Sequence, residues 1–244
     1  MSNKIALSQE TEYKIASRQF SELKRSSGAF YKMVKELETG FKNFRATYFE
    51  NKGKILQKLA KDGQSPKTMV ICCSDSRVEP SILFGTGPGD LFIVRNVANL
   101  VPPFTSKNSV STGAALEYAV KNLRVKDIIV LGHAHCGGVA ALCKKINNKK
   151  ADTKDQLTDF IESWVDIAKP ALSEVNFNAK KENIEVESER AVVVYSYNNL
   201  LTYPWIHNAI NKKILEIHAW WLDLKSVTLW KKAKESDAFE PMEF

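Results

Sequence analysis

The chain has 244 residues, 44% of them hydrophobic and 26% charged, which is ordinary globular usage and excludes a disordered, collagenous or coiled-coil chain. At roughly 150 residues per domain, this length suits one large domain with an appendage. The 35 basic and 28 acidic residues leave a net charge of +7, which permits weak attraction to polyanions without establishing it.

From about Gln9 to Lys61 the pattern is helical. Phe20, Leu23, Phe30, Met33, Val34 and Leu37 recur at three- and four-residue steps, with Lys and Glu between them. Gly40 is expected to break the run before a second helix through Phe44, Tyr48, Ile55 and Leu59. Residues 1–62 are therefore read as a two-helix arm for subunit contacts, belonging to the same domain as residues 63–244.

Beyond Thr68 the chain turns to short apolar runs: Met69–Cys73, Leu91–Val94, Ile128–Leu131 and Ala191–Tyr195. Near-continuous apolar runs suit strands of a parallel sheet buried on both faces. Helical stretches lie between them, at Ser111–Leu123, from Gly137 to about Ile146, and from Thr153 to Ala168, stopping before Pro170. Strands alternating with helices predict an α/β fold with a mostly parallel central sheet and flanking helices. Ile214–Leu222 alternates better and comes late, so it is expected as an added, antiparallel edge strand. The run Gly85–Gly89 lacks the last glycine of a dinucleotide loop and precedes a strand, so it reads as a turn.

Four cysteines, Cys72, Cys73, Cys136 and Cys143, are too few for a disulfide scaffold and point to a reducing compartment. The opening MSNKIALSQE has no signal-like apolar run. The charge-free stretch Ala191–Asn211 carries four Asn and Pro204 and is no membrane helix. A cytoplasmic chain is expected.

Two motifs carry chemistry. Cys73-Ser74-Asp75-Ser76-Arg77 follows one predicted strand, and Gly132-His133-Ala134-His135-Cys136-Gly137-Gly138 follows another. In open α/β sheets, ligands bind at the carboxyl ends of strands. Cys73, His133 and Cys136 offer three ligands of the kind Zn²⁺ prefers, and three ligands with one open position is the catalytic pattern. Two thiolates make such a centre a weak Lewis acid that gains from a nearby hydrogen-bond acceptor. Asp75 is placed for that role, and Arg77 to hold it by a fork-like pair. The i, i+2, i+4 spacing puts Cys73, Asp75 and Arg77 on one side of an extended segment. Gly137-Gly138 lets backbone approach a ligand and opens a helix whose N–H groups can stabilise an anion. Cys72, on the opposite face of its strand, and Cys143 are read as core. His207 and His218 are read as structural, and Trp220, Trp221 and Trp230 as packing residues. His135 is read as an exposed loop residue, with a proton-shuttle role as the alternative.

CSDSRV, PGDLFIVRNVANLVPP, TGAALEYAV, GHAHCGG, SYNNLLTYP and IHAWWLDL together resemble the β-class carbonic anhydrases, over about Gln64 to Trp230. The resemblance implies zinc on Cys73, His133 and Cys136, an Asp75–Arg77 dyad, and reversible hydration of CO2 to bicarbonate through zinc-bound hydroxide. It also implies a plant-like cleft, in which Gln64 bonds substrate, Phe92 and Val97 shape an apolar pocket, and Tyr118 lines the wall. Some of these residues come from a neighbouring subunit, so a homodimer is the minimum, with a tetramer or larger open. A closed state, with Asp75 as fourth ligand, exists in the family. Zinc chemistry on carbonyl sulfide or carbon disulfide is the alternative reading, and a zinc-stabilised nucleic-acid binder the remote one. Neither a nucleic-acid motif nor a membrane partner is expected.

Overall fold

The computed structural model describes residues 28–51, 54–105, 111–147 and 159–243. The chain divides into two units, Met1–Asp62 and Gly63–Phe244.

In the first unit, α1 (Gly28–Arg45) runs into a π-helical turn over Ala46–Asn51 and is followed by α2 (Ile55–Asp62). Gly40 does not break α1, contrary to expectation. A glycine inside a helix costs only about 1 kcal/mol against alanine, too little to end a run that carries Lys35, Glu36, Leu37 and Glu38 just before it. Phe44 packs on Tyr48 with ring centroids 4.7 Å apart, while Val34, Leu37 and Phe41 remain exposed. The expected helical positions from Gln9 to Ser27 lie outside the described residues.

The second unit is built on strands β1 (Thr68–Cys73), β2 (Leu91–Asn96), β3 (Asp127–His133), β4 (Glu216–Asp223), β5 (Thr228–Lys232) and β6 (Phe239–Pro241). They form one sheet in the order β2-β1-β3-β4-β5-β6. The first four are parallel, and β5 and β6 are antiparallel additions. The α/β class and the antiparallel edge match expectation, but the late segment is placed differently. Ile214–Leu222 contributes to β4, which pairs in parallel with β3 and lies inside the sheet. The edge role passes to β5 and β6. Alternation in β4 reflects a strand at the border of the core: Ala219, Trp221 and Leu222 are buried while Glu216 is exposed.

The helices are α3 (Pro80–Leu83), α4 (Ser111–Glu117, continued by a π turn to Leu123), α5 (Gly137–Asn147), α6 (Asp159–Val165), α7 (Lys181–Leu200) and α8 (Pro204–Asn211). A 3-10 stretch, Asp166–Leu172, carries the turn after α6 through Pro170 rather than stopping before it. The start of the expected Thr153–Ala168 helix lies outside the described residues.

The main correction concerns Ala191–Tyr195. This run is not a strand but the middle of α7. The buried positions of α7 are Ser188, Glu189, Val192, Val193, Val194, Ser196, Asn199 and Leu200, and all but Val194 follow a three- and four-residue rhythm. Four of those eight are polar, so the rhythm is hard to see in hydrophobicity and the valines stand out. Packing across the sheet overrides the β preference of valine.

The two sheet faces have separate cores. Met69, Ile71, Ile128, Val130 and Ala219 meet α4, α7 and α8 through Leu116, Val193, Leu200 and Ile206. Val70, Cys72, Ile129, Leu131 and Leu222 pack with Val78 and Phe84 on the other face. Cys72 is fully buried there, and burial pushes its thiol up to about 12. Cys143 packs beside Val139 and Leu142.

Helix α7 approaches the sheet closely at Gly132. A Cβ there would lie 2.3 Å from Val193 Cγ2 and 3.6 Å from Trp221 Cδ1. Gly132→Ala should therefore destabilise the protein by about 1–3 kcal/mol, the usual cost of overpacking. Urea unfolding measures this directly, and an unchanged midpoint would contradict the close approach.

Candidate metal centre

The sheet order reverses between β1 and β3, since β2 lies on one side of β1 and β3 on the other. At such a switch point, loops from adjacent strand ends diverge and leave a crevice. Cys73 ends β1 and His133 ends β3. A tight turn through Ala134 and His135, the latter at φ 57°, then delivers Cys136 to the start of α5. The side-chain ligand atoms of Cys73, His133 and Cys136 lie within 4.8 Å of one another, and all three residues are buried.

The chemistry of the three donors fits a soft divalent metal. His133 Nδ1 lies 2.8 Å from the Ala134 carbonyl, which can only accept. The proton therefore sits on Nδ1, and the Nε2 lone pair faces the thiols. Nε2 is buried with no hydrogen-bond partner, an arrangement that is costly unless a ligand completes it. The Cys73 and Cys136 sulfurs are 3.9 Å apart. A hydrogen bond from Cys136 lowers the Cys73 thiol to about 4, against the opposing effect of burial. Cys136 is correspondingly raised, by its bond to Cys73 and by burial. This N/S donor set is the kind Zn²⁺ takes.

Asp75 does not lie on an extended segment with its neighbours, as expected. The chain turns instead: the Arg77 amide donates to Asp75 Oδ1 at 3.0 Å, and Val78 N donates to Asp75 O. That turn brings the guanidinium back onto the carboxylate, with Nε donating to Oδ1 at 2.9 Å and Nη2 to Oδ2 at 2.7 Å. The fork holds the Asp75 carboxyl well below the usual carboxylate range. Arg77 Nη2 also donates to the His135 carbonyl at 3.0 Å, tying the two motifs together. Asp75 Oδ2 stands 3.9 Å from His133 Nε2, with both its oxygens engaged by Arg77.

The other named pocket residues separate into two groups. Val97 lies against Gly138, two residues beyond Cys136: a Cβ on Gly138 would fall 2.6 Å from Val97 Cγ1, whereas Gly137 faces open space. Phe92 and Tyr118 pair with each other, ring centroids 6.0 Å apart. Phe92 sits four residues along β2 from Asn96, the partner of Cys73, so it is about 13 Å away at the usual strand rise. Gln64 is exposed in the stretch before β1. His135 is exposed, with Nδ1 3.6 Å from Glu185 Oε2. Among the described residues one other mixed cluster, Asp127, Glu216 and His218, occupies the opposite strand ends as a His218–Asp127 pair at 2.9 Å.

Several supporting residues escape a motif search. Arg95 donates to the carbonyls of Cys73, Asp75 and Val78, fixing the loop that carries the dyad. Trp164 Nε1 donates to the Val97 carbonyl at 2.8 Å. Glu189 Oε1 accepts from the Cys136 amide at 3.0 Å. Arg95 stands inside the quoted PGDLFIVRNVAN stretch, but Trp164 and Glu189 lie in segments without a signature.

Residues 68–229 match the carbonic anhydrase family. The chain is 37% identical over 203 residues to beta carbonic anhydrase 3 of Arabidopsis thaliana, covering 81% of this chain and 77% of that protein. Among solved structures, the β-carbonic anhydrase CcaA superposes with a TM-score of 0.76 at 28% identity, covering 87% of this chain and 93% of the other. CafA of Aspergillus fumigatus gives a TM-score of 0.71 at 27% identity, covering 84% and 92%. A tetrameric β-carbonic anhydrase of Sordaria macrospora gives 0.68 at 26% identity, covering 84% and 97%. The fold, the cluster at the switch point and these likenesses agree: the chain belongs to the β-class carbonic anhydrase family.

Proposed function

We propose that Cys73, His133 and Cys136 hold zinc and that the site interconverts carbon dioxide with bicarbonate and a proton. The observation that carries this reading is the buried, unpartnered Nε2 of His133 facing two thiols beside an Arg-clamped carboxylate. Zinc held there supplies a Lewis acid that brings the ionisation of water towards neutral pH. Asp75 accepts the hydrogen bond of the reacting water and aims its lone pair at the carbon of CO2. Arg77 holds Asp75 in that orientation and keeps it ionised. The paired oxygens of Asp75 favour the open arrangement over a state with Asp75 as fourth ligand. Val97 offers CO2 an apolar wall. The amides of Gly137 and Gly138, at the start of α5, favour the anionic product.

Gln64, Phe92 and Tyr118 complete the cleft of a neighbouring subunit. The distance of Phe92 from Cys73 along the sheet, with Tyr118 packed on Phe92, supports that division, as do the exposed apolar residues of α1. The tetrameric Sordaria relative supports an oligomer of at least two chains. Four free cysteines favour a reducing compartment such as the cytoplasm. No helix among the described residues is long and apolar enough to cross a membrane.

Stopped-flow hydration on protein of measured metal content tests the reading. About one zinc per chain, proton release on adding CO2 and a rate that rises with pH are expected. Zinc-loaded protein that hydrates no CO2 would refute it.

A further inference from the structure

Glu189 is a buried carboxylate that the catalytic scheme does not use. It lies on the sheet side of α7, 4% exposed. Burying a carboxylate is expensive unless each oxygen finds a donor, and here the two oxygens are divided between two. Oε1 accepts from the Cys136 amide at 3.0 Å, and Oε2 accepts from the Trp221 indole at 3.2 Å. Cys136 immediately precedes α5, where backbone N–H groups have no partner within the helix.

Trp221 belongs to β4 and sits opposite Gly132 of β3 in the parallel register. Its ring is held in place by Arg190, whose guanidinium lies 4.5 Å from the ring centroid and equally close to that of Trp230. The next residue of β4, Leu222, accepts from the Ala134 amide at 2.8 Å, inside the same loop as Cys136. The loop is thus tied to β4 twice, once directly and once through Glu189.

We propose that Glu189 is a positioning residue for the metal centre: shared between the Cys136 amide and the Trp221 indole, its carboxylate sets the direction in which Cys136 offers its sulfur to the metal. This rests on reading Cys73, His133 and Cys136 as the ligand set. An ordinary core carboxylate would stabilise the fold without altering how the metal is held. A positioning carboxylate must satisfy two donors at once, and that requirement has a chemical signature. A glutamine in its place has one accepting oxygen and one donating NH2, so it must set a donor against a donor at one of the two contacts. Removing the indole donor with Trp221→Phe removes that conflict and lets the glutamine oxygen serve Cys136.

The test uses zinc- and cobalt-loaded full-length protein. Glu189→Gln should speed extraction of zinc by a chelator about 10–100-fold, the usual effect of losing an outer hydrogen bond to a metal ligand. It should also shift the thiolate-to-cobalt absorption band. The double variant Glu189→Gln/Trp221→Phe should return both readouts towards the parent. A Glu189→Gln protein with the parent's extraction rate and cobalt band would overturn the proposal, even if it unfolds more easily. So would a double variant no better than the single one. Should Glu189→Gln fail to fold, the double variant carries the test, and it must fold and show the parent's band. Parent protein that binds neither zinc nor cobalt would instead refute the metal centre itself.

Discussion

Cys73→Ser should abolish both metal binding and CO2 hydration. A serine hydroxyl stays protonated where the Cys73 thiol ionises readily, lowered to about 4 by its bond from Cys136, and zinc binds the deprotonated ligand. Loss of an outer hydrogen bond to a ligand already costs 10–100-fold in affinity, so loss of the ligand itself should cost more than about 100-fold. Activity should fall at least about a thousandfold, because the remaining residues supply no comparable activation of water. Metal analysis alongside stopped-flow hydration reads both effects. A Cys73→Ser protein that keeps one zinc per chain and full activity would sink the ligand assignment. Cys72→Ser is the matched control. Its thiol points to the other face of the sheet, among Val70, Ile129 and Leu131, so it should cost stability and leave the metal in place.

Asp75→Asn should give the opposite dissociation: zinc retained, rate lost. Asp75 is not among the three clustered donors, so metal content should match the parent. An amide cannot hold the Arg77 fork, because one of its two ends donates. The reacting water then loses an aligned acceptor, for which a fall of about 10²–10³ in kcat/KM is expected. Arg77→Lys should lie between, since an ammonium grips the carboxylate at a point rather than through a fork. The sign of any pH effect follows from the depressed Asp75 value. The carboxylate is ionised throughout the neutral range, and its clamp is lost only as pH falls through the folded value, below the ordinary carboxylate range. Asp75 therefore adds no inflection to the activity profile near neutrality. Full activity in Asp75→Asn would remove it from the scheme.

The cluster of Cys73, His133 and Cys136 was legible because each member ends or follows an apolar run and carries soft-donor chemistry at short spacing. The dyad was legible in composition but not in shape. An extended segment would separate Asp75 from Arg77, whereas the turn at Ser76–Arg77 folds one back on the other. Glu189 was illegible for a general reason. Its helix carries polar residues on its buried face, and three of them hold backbone groups of loops. Ser196 accepts from the Val101 amide, Asn199 donates to the Val101 carbonyl, and Glu189 accepts from the Cys136 amide. Hydrophobic periodicity cannot see a face whose task is to satisfy loops.

The sequence by itself determined the α/β class, the soft-donor residues Cys73, His133 and Cys136, and the presence of Asp75 beside Arg77, since these depend on local apolar runs and on residue chemistry close along the chain. Only the tertiary structure decided that Ala191–Tyr195 is helical, that β4 lies inside the sheet, and that Phe92 and Tyr118 stand apart from Cys73. Those outcomes depend on which surfaces meet across long stretches of chain. A valine run serves a strand or a helix equally well until a sheet is laid against it, and a strand's place is settled by the neighbour with which it shares hydrogen bonds.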